Sequence, residues 1–244
     1  MTLHLIRRAA AGVLLGYCLA CLLARPLISQ NTEADIIRGI DLSVAHREQN
    51  LLGYTVTEHY FVYRNQDKVH PAAEMTVKTT YVKDRGKSYQ VLSESGSGII
   101  RKEVLGRVLD GERTATEPAN RATALITSAN YTIHEKGAEV VGGRNCIALA
   151  IAPRRIGPYL LQGDLWVDAQ DYSIVQLSGL TVKSPSIFAG QTRLARQYAI
   201  IDGFPMATHA AATSTSWLFG QTTIEIEYTG YQIERGTPQS SESR

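Results

Sequence analysis

The stretch YLLQGDLWVDAQDYSIVQLSG, residues 159–179, decides the fold because it contains two strands and the turn that joins them. Polar side chains such as Asp164 and Asp168 alternate with an apolar set, as in a half-buried strand. Residues 168–171 provide the turn, because an Asp side chain can accept hydrogen bonds from its own backbone. Leu160 shares the outer parity with Asp164 and Asp168. The apolar set that defines the predicted inner face is Tyr159, Leu161, Leu165 and Val167, continued by Val175 and Leu177.

The same two-residue period returns along most of the chain. Short connections separate the runs, so successive strands are expected to be antiparallel. Asp202-Gly203 is a strong signal for a hairpin turn. Including the opening hairpin, about ten strands are predicted, and the other runs cover residues 54–63, 75–81, 89–94, 131–135, 138–141, 146–152, 192–201, 206–216 and 218–231.

Two amphipathic helices interrupt the strands. Thr32 and Asp35 have the spacing of a helix start, and the helix is expected to run to about Asn50. Its apolar stripe comprises Ile36, Ile37, Ile40 and Val44. A second helix follows the Ser95–Gly98 segment, with a stripe made of Ile100, Val104 and Val108.

These elements predict an α+β fold that is mainly antiparallel β. A sandwich or a closed barrel would also bury one face of such a sheet. Because the helices stand at the start and inside the strand series, the pattern favours a sheet that curls around them. We therefore expect a curled, incomplete β-barrel of about ten strands with helices on the concave face.

Charge and length exclude one class of partner. The chain has 244 residues and a formal net charge of +2. Apart from Arg7 and Arg8 near the start, the basic residues equal the 23 acidic ones in number. A nucleic-acid-binding protein would need a clustered basic excess, so no nucleic-acid partner is predicted.

Residues 1–24 are predicted to be a signal peptide that directs export to the periplasm. Arg7 and Arg8 precede an apolar run that is short for a membrane span, which needs roughly 20 apolar residues. A retained membrane anchor is the alternative. Leu19-Ala20-Cys21 also resembles the end of a lipoprotein leader, which makes Cys21 the candidate for lipidation and membrane anchoring.

The remaining chain is expected to form a single domain, residues 25–235, followed by a disordered tail, residues 236–244. Cys146 is the only cysteine after the leader, so no internal disulfide is possible. It is interpreted as a small buried hydrophobic residue.

Motif searches do not predict an enzyme. Gly86-Lys87-Ser88 lacks the earlier glycine of a phosphate-binding loop, and the 94–98 segment does not fit a nucleophile elbow. The histidines are scattered without metal-ligand spacing, so no metal and no cofactor is expected. Asp164 and Asp168 flank Trp166 on one strand face, which is interpreted as a solvated outer face rather than an acid–base pair.

Two segments carry a resemblance to a known superfamily. Residues 141–153, VGGRNCIALAIAP, are followed by Leu165-Trp-Val-Asp168, which enters a turn before Ile174-Val-Gln176. In this order the chain resembles the outer-membrane lipoprotein-sorting superfamily of LolA, LolB and RseB type, over roughly residues 33–233. The resemblance implies an incomplete β-barrel with helices as a lid, an apolar cavity for acyl chains of lipids or lipoproteins, and no enzyme activity.

The apolar strand faces supply candidates for that cavity. A packed core has the same alternating pattern as a cavity, so both interpretations stay open. RseB-type members imply an alternative function, regulation through a membrane protein partner, for which Ile187 and Phe188 would be an exposed contact. The ligand-cavity candidates are Met75, Val77, Tyr89, Leu161, Leu165, Val167, Ile224 and Ile226.

Overall fold

The structure, a computed structural model, describes residues 32–65, 67–183, 191–216 and 220–236. The predicted leader with Cys21, the contact at Ile187 and Phe188, and residues 237–244 of the predicted tail lie outside these ranges. Within them, no helix combines the length and the apolar character that crossing a membrane requires.

The described residues form one antiparallel sheet of ten strands. The spatial order is β3-β2-β1-β10-β9-β8-β7-β6-β5-β4, so β3 and β4 are its two edges. The strands are β1 (Leu51–Arg64), β2 (Ala73–Val82), β3 (Gly86–Gly96), β4 (Tyr131–Val141), β5 (Arg144–Pro153), β6 (Leu161–Asp168), β7 (Ile174–Thr181), β8 (Arg193–Ile201), β9 (Phe204–Ser216) and β10 (Gly220–Arg235).

The first helix, α1, spans Glu33–Asn50 and begins as the sequence predicts. The Thr32 hydroxyl accepts a hydrogen bond from the Asp35 amide, and the Asp35 carboxylate accepts one from the Thr32 amide. This reciprocal capping box satisfies donors that a helix start otherwise leaves unpaired. Leu51 then starts β1 directly, with its amide still bonded to the Arg47 carbonyl.

The second predicted helix is a continuous helix over residues 98–116, here named the insert helix. It consists of α2 (Gly98–Ile100), a π-helical segment (Arg101–Gly106) and α3 (Arg107–Thr116). A short helix, α4 (Pro118–Arg121), follows it. π-Helical turns widen the backbone and occur often at functional sites.

The insert helix spans the opening of the sheet. Strands β3 and β4 are consecutive in the chain, yet they lie at opposite edges and do not pair. Residues 97–130 connect them. A closed barrel would require the two strands to pair, so the fold is a sheet that stays open where the helical connection passes.

Side-chain contacts show that the sheet curls. Lys87 on β3 and Arg196 on β8 both reach the carboxylate of Glu112 on α3. In the sheet order four strands separate β3 from β8, which in a flat sheet would place them about 24 Å apart. Only a curled sheet with α3 on its concave side brings these groups together, which confirms the predicted fold class.

The 159–179 hairpin forms as predicted, with one correction. Its turn is held by Asp168 Oδ1, which accepts from the Gln170 amide at 2.8 Å. Leu160, placed by parity on the outer face, is in fact buried because β6 begins only at Leu161. The two short strands predicted over 131–141 are one strand with a bulge at Glu135/Gly137.

The concave face carries two large apolar clusters, one under each helix. The insert cluster lies under the insert helix and contains Val56, Tyr60, Val62, Ala73, Met75, Val77, Ile100, Val104, Leu105, Leu109, Ala210, Ile224, Ile226 and Tyr228. The N-terminal cluster lies under α1 and contains Ile36, Ile40, Tyr131, Ile133, Leu149, Ile151, Leu160, Leu161, Leu165, Val167 and Leu177. Burial of these side chains is the main source of stability.

Candidate functional site

The predicted ligand-cavity residues divide between the two clusters. Each is buried except Tyr89, which lies partly buried at the edge of the insert cluster. The insert cluster includes Met75, Val77, Ile224 and Ile226, and the N-terminal cluster includes Leu161, Leu165 and Val167. In this structure they contact helices and one another, so a ligand would reach them only after a helix moves.

Helix α1 packs closely over the N-terminal cluster. Gly39 faces the Tyr172 ring so closely that a Cβ atom there would lie 2.3 Å from Tyr172 Cδ2. Asp41 accepts hydrogen bonds from the backbone amide of Ser128 at 2.9 Å and from its hydroxyl at 2.6 Å. These contacts fix α1 to the β6–β7 turn and to the connection that precedes β4.

The insert helix is attached at both ends to the β2–β3 side of the sheet. At its start the Ser97 hydroxyl accepts from the Ile100 amide, and the Ser97 amide donates to the Ala72 carbonyl. At its end the Thr116 hydroxyl accepts from the Lys87 amide at 3.0 Å. The helix is therefore hinged along one side of the opening.

Across the opening, four charged side chains form a compact group, here named the ionic cluster: Glu58, Lys87, Glu112 and Arg196. Lys87 Nζ lies 2.5 Å from Glu112 Oε2 and 3.5 Å from Glu58 Oε1. Arg196 Nη2 donates to Glu112 Oε1 at 3.2 Å. The Tyr89 hydroxyl donates to Glu112 Oε2 at 3.4 Å, and the Tyr60 hydroxyl donates to Glu58 Oε2.

The ionic cluster is largely removed from water, and Arg196 is its most exposed member at 30%. Glu58 is fully buried, and the side chains of Lys87 and Glu112 are 10% and 18% exposed. Burial alone would raise the pKa of Glu112, but Lys87 and Arg196 outweigh it and lower that pKa to about 2. Burial likewise opposes the charge on Lys87, and Glu112 and Glu58 more than compensate, so the Lys87 pKa is well above its usual value. Lys87, Glu112 and Arg196 are therefore charged at neutral pH.

Several buried polar atoms in this region have no hydrogen-bond partner among the described residues. They are Glu58 Oε1, Thr79 Oγ1, Thr222 Oγ1 and Arg196 Nε. An unpaired buried polar atom typically costs about 1–3 kcal/mol. The concave wall thus has hydrogen-bonding capacity that the insert helix does not use.

The sequence patterns above did not identify the ionic cluster, although the position of Glu58 on its strand indicates a buried charge. Glu58 shares a strand face with Val56, Tyr60 and Val62, all of which are buried. A charged residue on an apolar strand face predicts a buried, compensated charge. Its partner on α3 could not be found in this way, because the contact depends on how far the sheet curls.

The residues weighed as catalytic candidates lie apart from this group, each with a structural partner. Asp164 pairs with Lys136 at 2.7 Å, and Asp168 pairs with Arg144 at 2.9 Å. The Trp166 indole donates to Glu139 at 2.7 Å. Cys146 is buried, as predicted. Within the described ranges, no three His, Cys, Asp or Glu side chains are arranged to hold a metal ion.

An open cavity of about 410 Å³ lies at the strand ends where β4 turns into β5. Arg144 is its charged residue. The full lining is Val141, Gly142, Arg144, Val175, Tyr198, Ala199 and Ile200.

With the geometry described, the chain was compared with known proteins. No family model and no curated protein matches it. Solved structures do match. An outer-membrane lipoprotein-sorting protein domain from Vibrio parahaemolyticus is 12% identical, over 82% of this chain and 93% of that one, with a TM-score of 0.45.

Two further matches are of the same kind. A LolA superfamily protein from Nitrosomonas europaea is 10% identical over 83% of this chain and 94% of that one, with a TM-score of 0.41. MucB is 11% identical over 80% of this chain and 92% of that one, with a TM-score of 0.29. A structure of MucB in complex with MucA also matches. These structures bear the names of the superfamily that the sequence resembles. At these identities the likeness concerns the fold alone.

Proposed function

We propose that the protein is a non-enzymatic binding protein of the bacterial cell envelope. Its ligand is an acyl chain of a lipid or lipoprotein, held against the concave face. Outer-membrane lipoprotein sorting is one role that such a protein would serve. The observation that carries this proposal is an open, curled sheet whose concave face is apolar and covered by a hinged helix. Export to the periplasm through residues 1–24, with or without anchoring at Cys21, belongs to the same proposal.

The energetics favour such a ligand. Burial of an acyl chain contributes about 0.8 kcal/mol per methylene group. Displacing the insert helix would uncover Met75, Val77 and Ile226, and an acyl chain could replace the contacts that Val104 and Leu105 make there. The helix ends are attached on the β2–β3 side, so opening would break the Glu112–Arg196 ion pair but would unpair no strand.

Photolabelling tests this proposal directly. Delipidated protein is incubated with palmitate that carries a photoactivatable diazirine near its chain end, and labelled peptides are identified by mass spectrometry. We expect labels on β2, β10 and the insert helix, reduced by excess unmodified palmitate. Ile226→Gln is expected to lower labelling about fivefold, because a polar side chain in the cluster disfavours an apolar ligand.

Glu227→Gln is the matched control, since Glu227 is exposed and adjacent to Ile226 in the same strand. It should leave labelling unchanged. Labels restricted to outer-face residues such as Trp166, or a complete absence of labelling together with no lipid in purified protein, would refute the proposal.

A second function, binding of a membrane protein partner, is supported by edge strand β3. Its outer side has no strand beside it among the described residues, and Val91 and Leu92 are about half exposed. A free edge with apolar side chains can accept a strand from another protein.

This second function predicts a crosslink at the β3 edge. A photo-crosslinking amino acid at position 92 is expected to capture an integral membrane protein in envelope fractions, while one at exposed Lys136 on the other edge strand, β4, is not. Recovery of lipoproteins alone from position 92 would contradict it.

A further inference from the structure

The ionic cluster has the composition of an anion site that is occupied by the protein itself. The sheet supplies two cations, Lys87 from β3 and Arg196 from β8, and one carboxylate, Glu58 from β1. The insert helix supplies the second carboxylate, Glu112. Without the helix, these sheet residues carry a net single positive charge.

The two carboxylates have different positions relative to the opening. Glu58 is part of the wall and remains beside Lys87 whatever the insert helix does. Glu112 moves with the helix, and it is the group that joins Lys87 to Arg196. When the helix opens, both cations lose a partner, and a buried cation without a partner is costly.

The surrounding atoms fit an oxyanion better than they fit a packed salt bridge alone. Arg196 Nε has no hydrogen-bond partner, although Arg can offer two parallel donors to a carboxylate or phosphate. The buried hydroxyl of Thr79, two residues along β2 from the strand partner of Glu58, is also without a partner. The Tyr89 hydroxyl, which donates to Glu112, would be free to donate to a ligand.

The ionic cluster adjoins the insert cluster, in which Tyr60 and Tyr228 are members. An amphiphile lying on this wall would therefore place its chain against the apolar residues and its head beside Lys87 and Arg196. We propose that the protein selects acyl ligands with an anionic head, and that the Glu112 carboxylate stands in for the ligand's anionic group while the helix is closed.

This inference rests on the proposed function, because it needs an acyl ligand on the concave face. The anionic group is a carboxylate or a phosphate, and both chemistries fit Lys87 and Arg196. A free fatty acid would supply the first, and a phosphate-headed lipid the second. A neutral or cationic head would leave Arg196 without an anionic partner when Glu112 is displaced, and Lys87 with Glu58 alone.

The test compares three probes that have the same alkyl chain length and differ in their head group. Palmitate, hexadecyl phosphate and hexadecanol each compete with a fluorescent fatty acid for binding to the full-length protein. The readout is the Kd of the neutral probe divided by the Kd of an anionic probe. We expect a ratio of about ten or more in the wild type, because hydrogen bonds to charged groups are strong. The anion with the lower Kd identifies carboxylate or phosphate as the preferred head.

Three variants separate recognition from stability. Arg196→Gln should reduce the ratio to about one, whereas Arg193→Gln, an exposed arginine on the same strand, should leave it unchanged. Glu112→Gln should raise anion affinity about tenfold, because the internal competitor is removed. A variant that merely loosened the helix would change both Kd values together and leave the ratio constant.

The outcomes distinguish the two proposals. Equal Kd values for all three probes in the wild type, or a ratio that Arg196→Gln and Glu112→Gln both leave unchanged, overturn the anion site and leave acyl binding intact. If no probe binds, the proposed function fails as well. If Arg196→Gln does not fold, the opposite change expected in Glu112→Gln still decides the question.

Discussion

Replacing Glu112 by Gln is expected to lower the free energy of unfolding by about 3 kcal/mol. The substitution keeps the size of the side chain but removes the negative charge between Lys87 and Arg196. Breaking a buried ion pair from one side leaves the other charge uncompensated, which costs more than the pair contributes. Urea unfolding of both proteins at neutral pH measures this difference.

The effect of Glu112 should also depend on pH in a defined direction. Its folded pKa of about 2 lies below the ordinary value of 4.5, so the charged form is favoured by folding. Its contribution is complete above the ordinary value and is lost as the pH falls from about 4.5 to about 2. Over that range the stability difference between the wild type and Glu112→Gln should shrink.

Glu103→Gln is the matched control for this substitution. Glu103 lies on the same insert helix and pairs with Arg107 at 2.8 Å, but both side chains are substantially exposed. Exposed pairs contribute little, so the control should change stability by less than about 0.5 kcal/mol. If both variants lowered the free energy of unfolding equally, the buried position of Glu112 would have no effect of its own.

Gly163→Ala is expected to lower the free energy of unfolding by about 3 kcal/mol, the upper end of the cost of overpacking. Gly163 on β6 faces Gly179 on β7. A Cβ atom at position 163 would lie 2.1 Å from the Ser178 carbonyl oxygen and 2.5 Å from Gly179 Cα. Both obstacles are backbone atoms, so the strands themselves would have to move apart.

The glycine pair also explains how the hairpin packs. A Cβ atom at Gly179 would lie 2.6 Å from Leu161 Cδ1, so the Leu161 side chain occupies the space that the glycine leaves free. Glycines inside a strand mark a bend or a close approach, and both allow a sheet to curl. Gly163→Ala should therefore disturb the N-terminal cluster, in which Leu161 is buried.

Gly111→Ala is expected to change the stability in the opposite direction. Gly111 lies within α3, and no atom is within 4 Å of the added methyl group. Alanine favours a helix over glycine by about 0.5–1 kcal/mol, so this variant should be slightly more stable than the wild type. Thermal and urea unfolding of both glycine variants and the wild type measure these two changes in stability. A Gly163→Ala protein as stable as the wild type would disprove the close approach.

Local sequence patterns predicted most of the sheet. The alternation in the 159–179 hairpin placed Leu161, Leu165 and Val167 on one buried face, because a two-residue period has only two faces. The capping box at Thr32 and Asp35 likewise located the start of α1. Such features depend on neighbours in the chain, so they can be read from the residues alone.

Local patterns failed where backbone geometry overrode parity. Leu160 is buried although parity along the strand would place it outside, because it precedes β6 and is not bound by the strand's alternation. The π-helical segment at Arg101–Gly106 has no signal in the spacing of apolar residues. Lys87 attracted interest only as part of a failed phosphate-loop motif, whereas its role depends on Glu112.

The sequence by itself determined the strand and helix series, the apolar face of each element and the superfamily resemblance. Only the tertiary structure decided that β3 and β4 remain unpaired, and that Lys87 and Arg196, distant in sequence and in sheet order, meet on Glu112. The physical reason is that periodicity fixes which way a side chain points, while the curvature of the whole sheet fixes what it meets there.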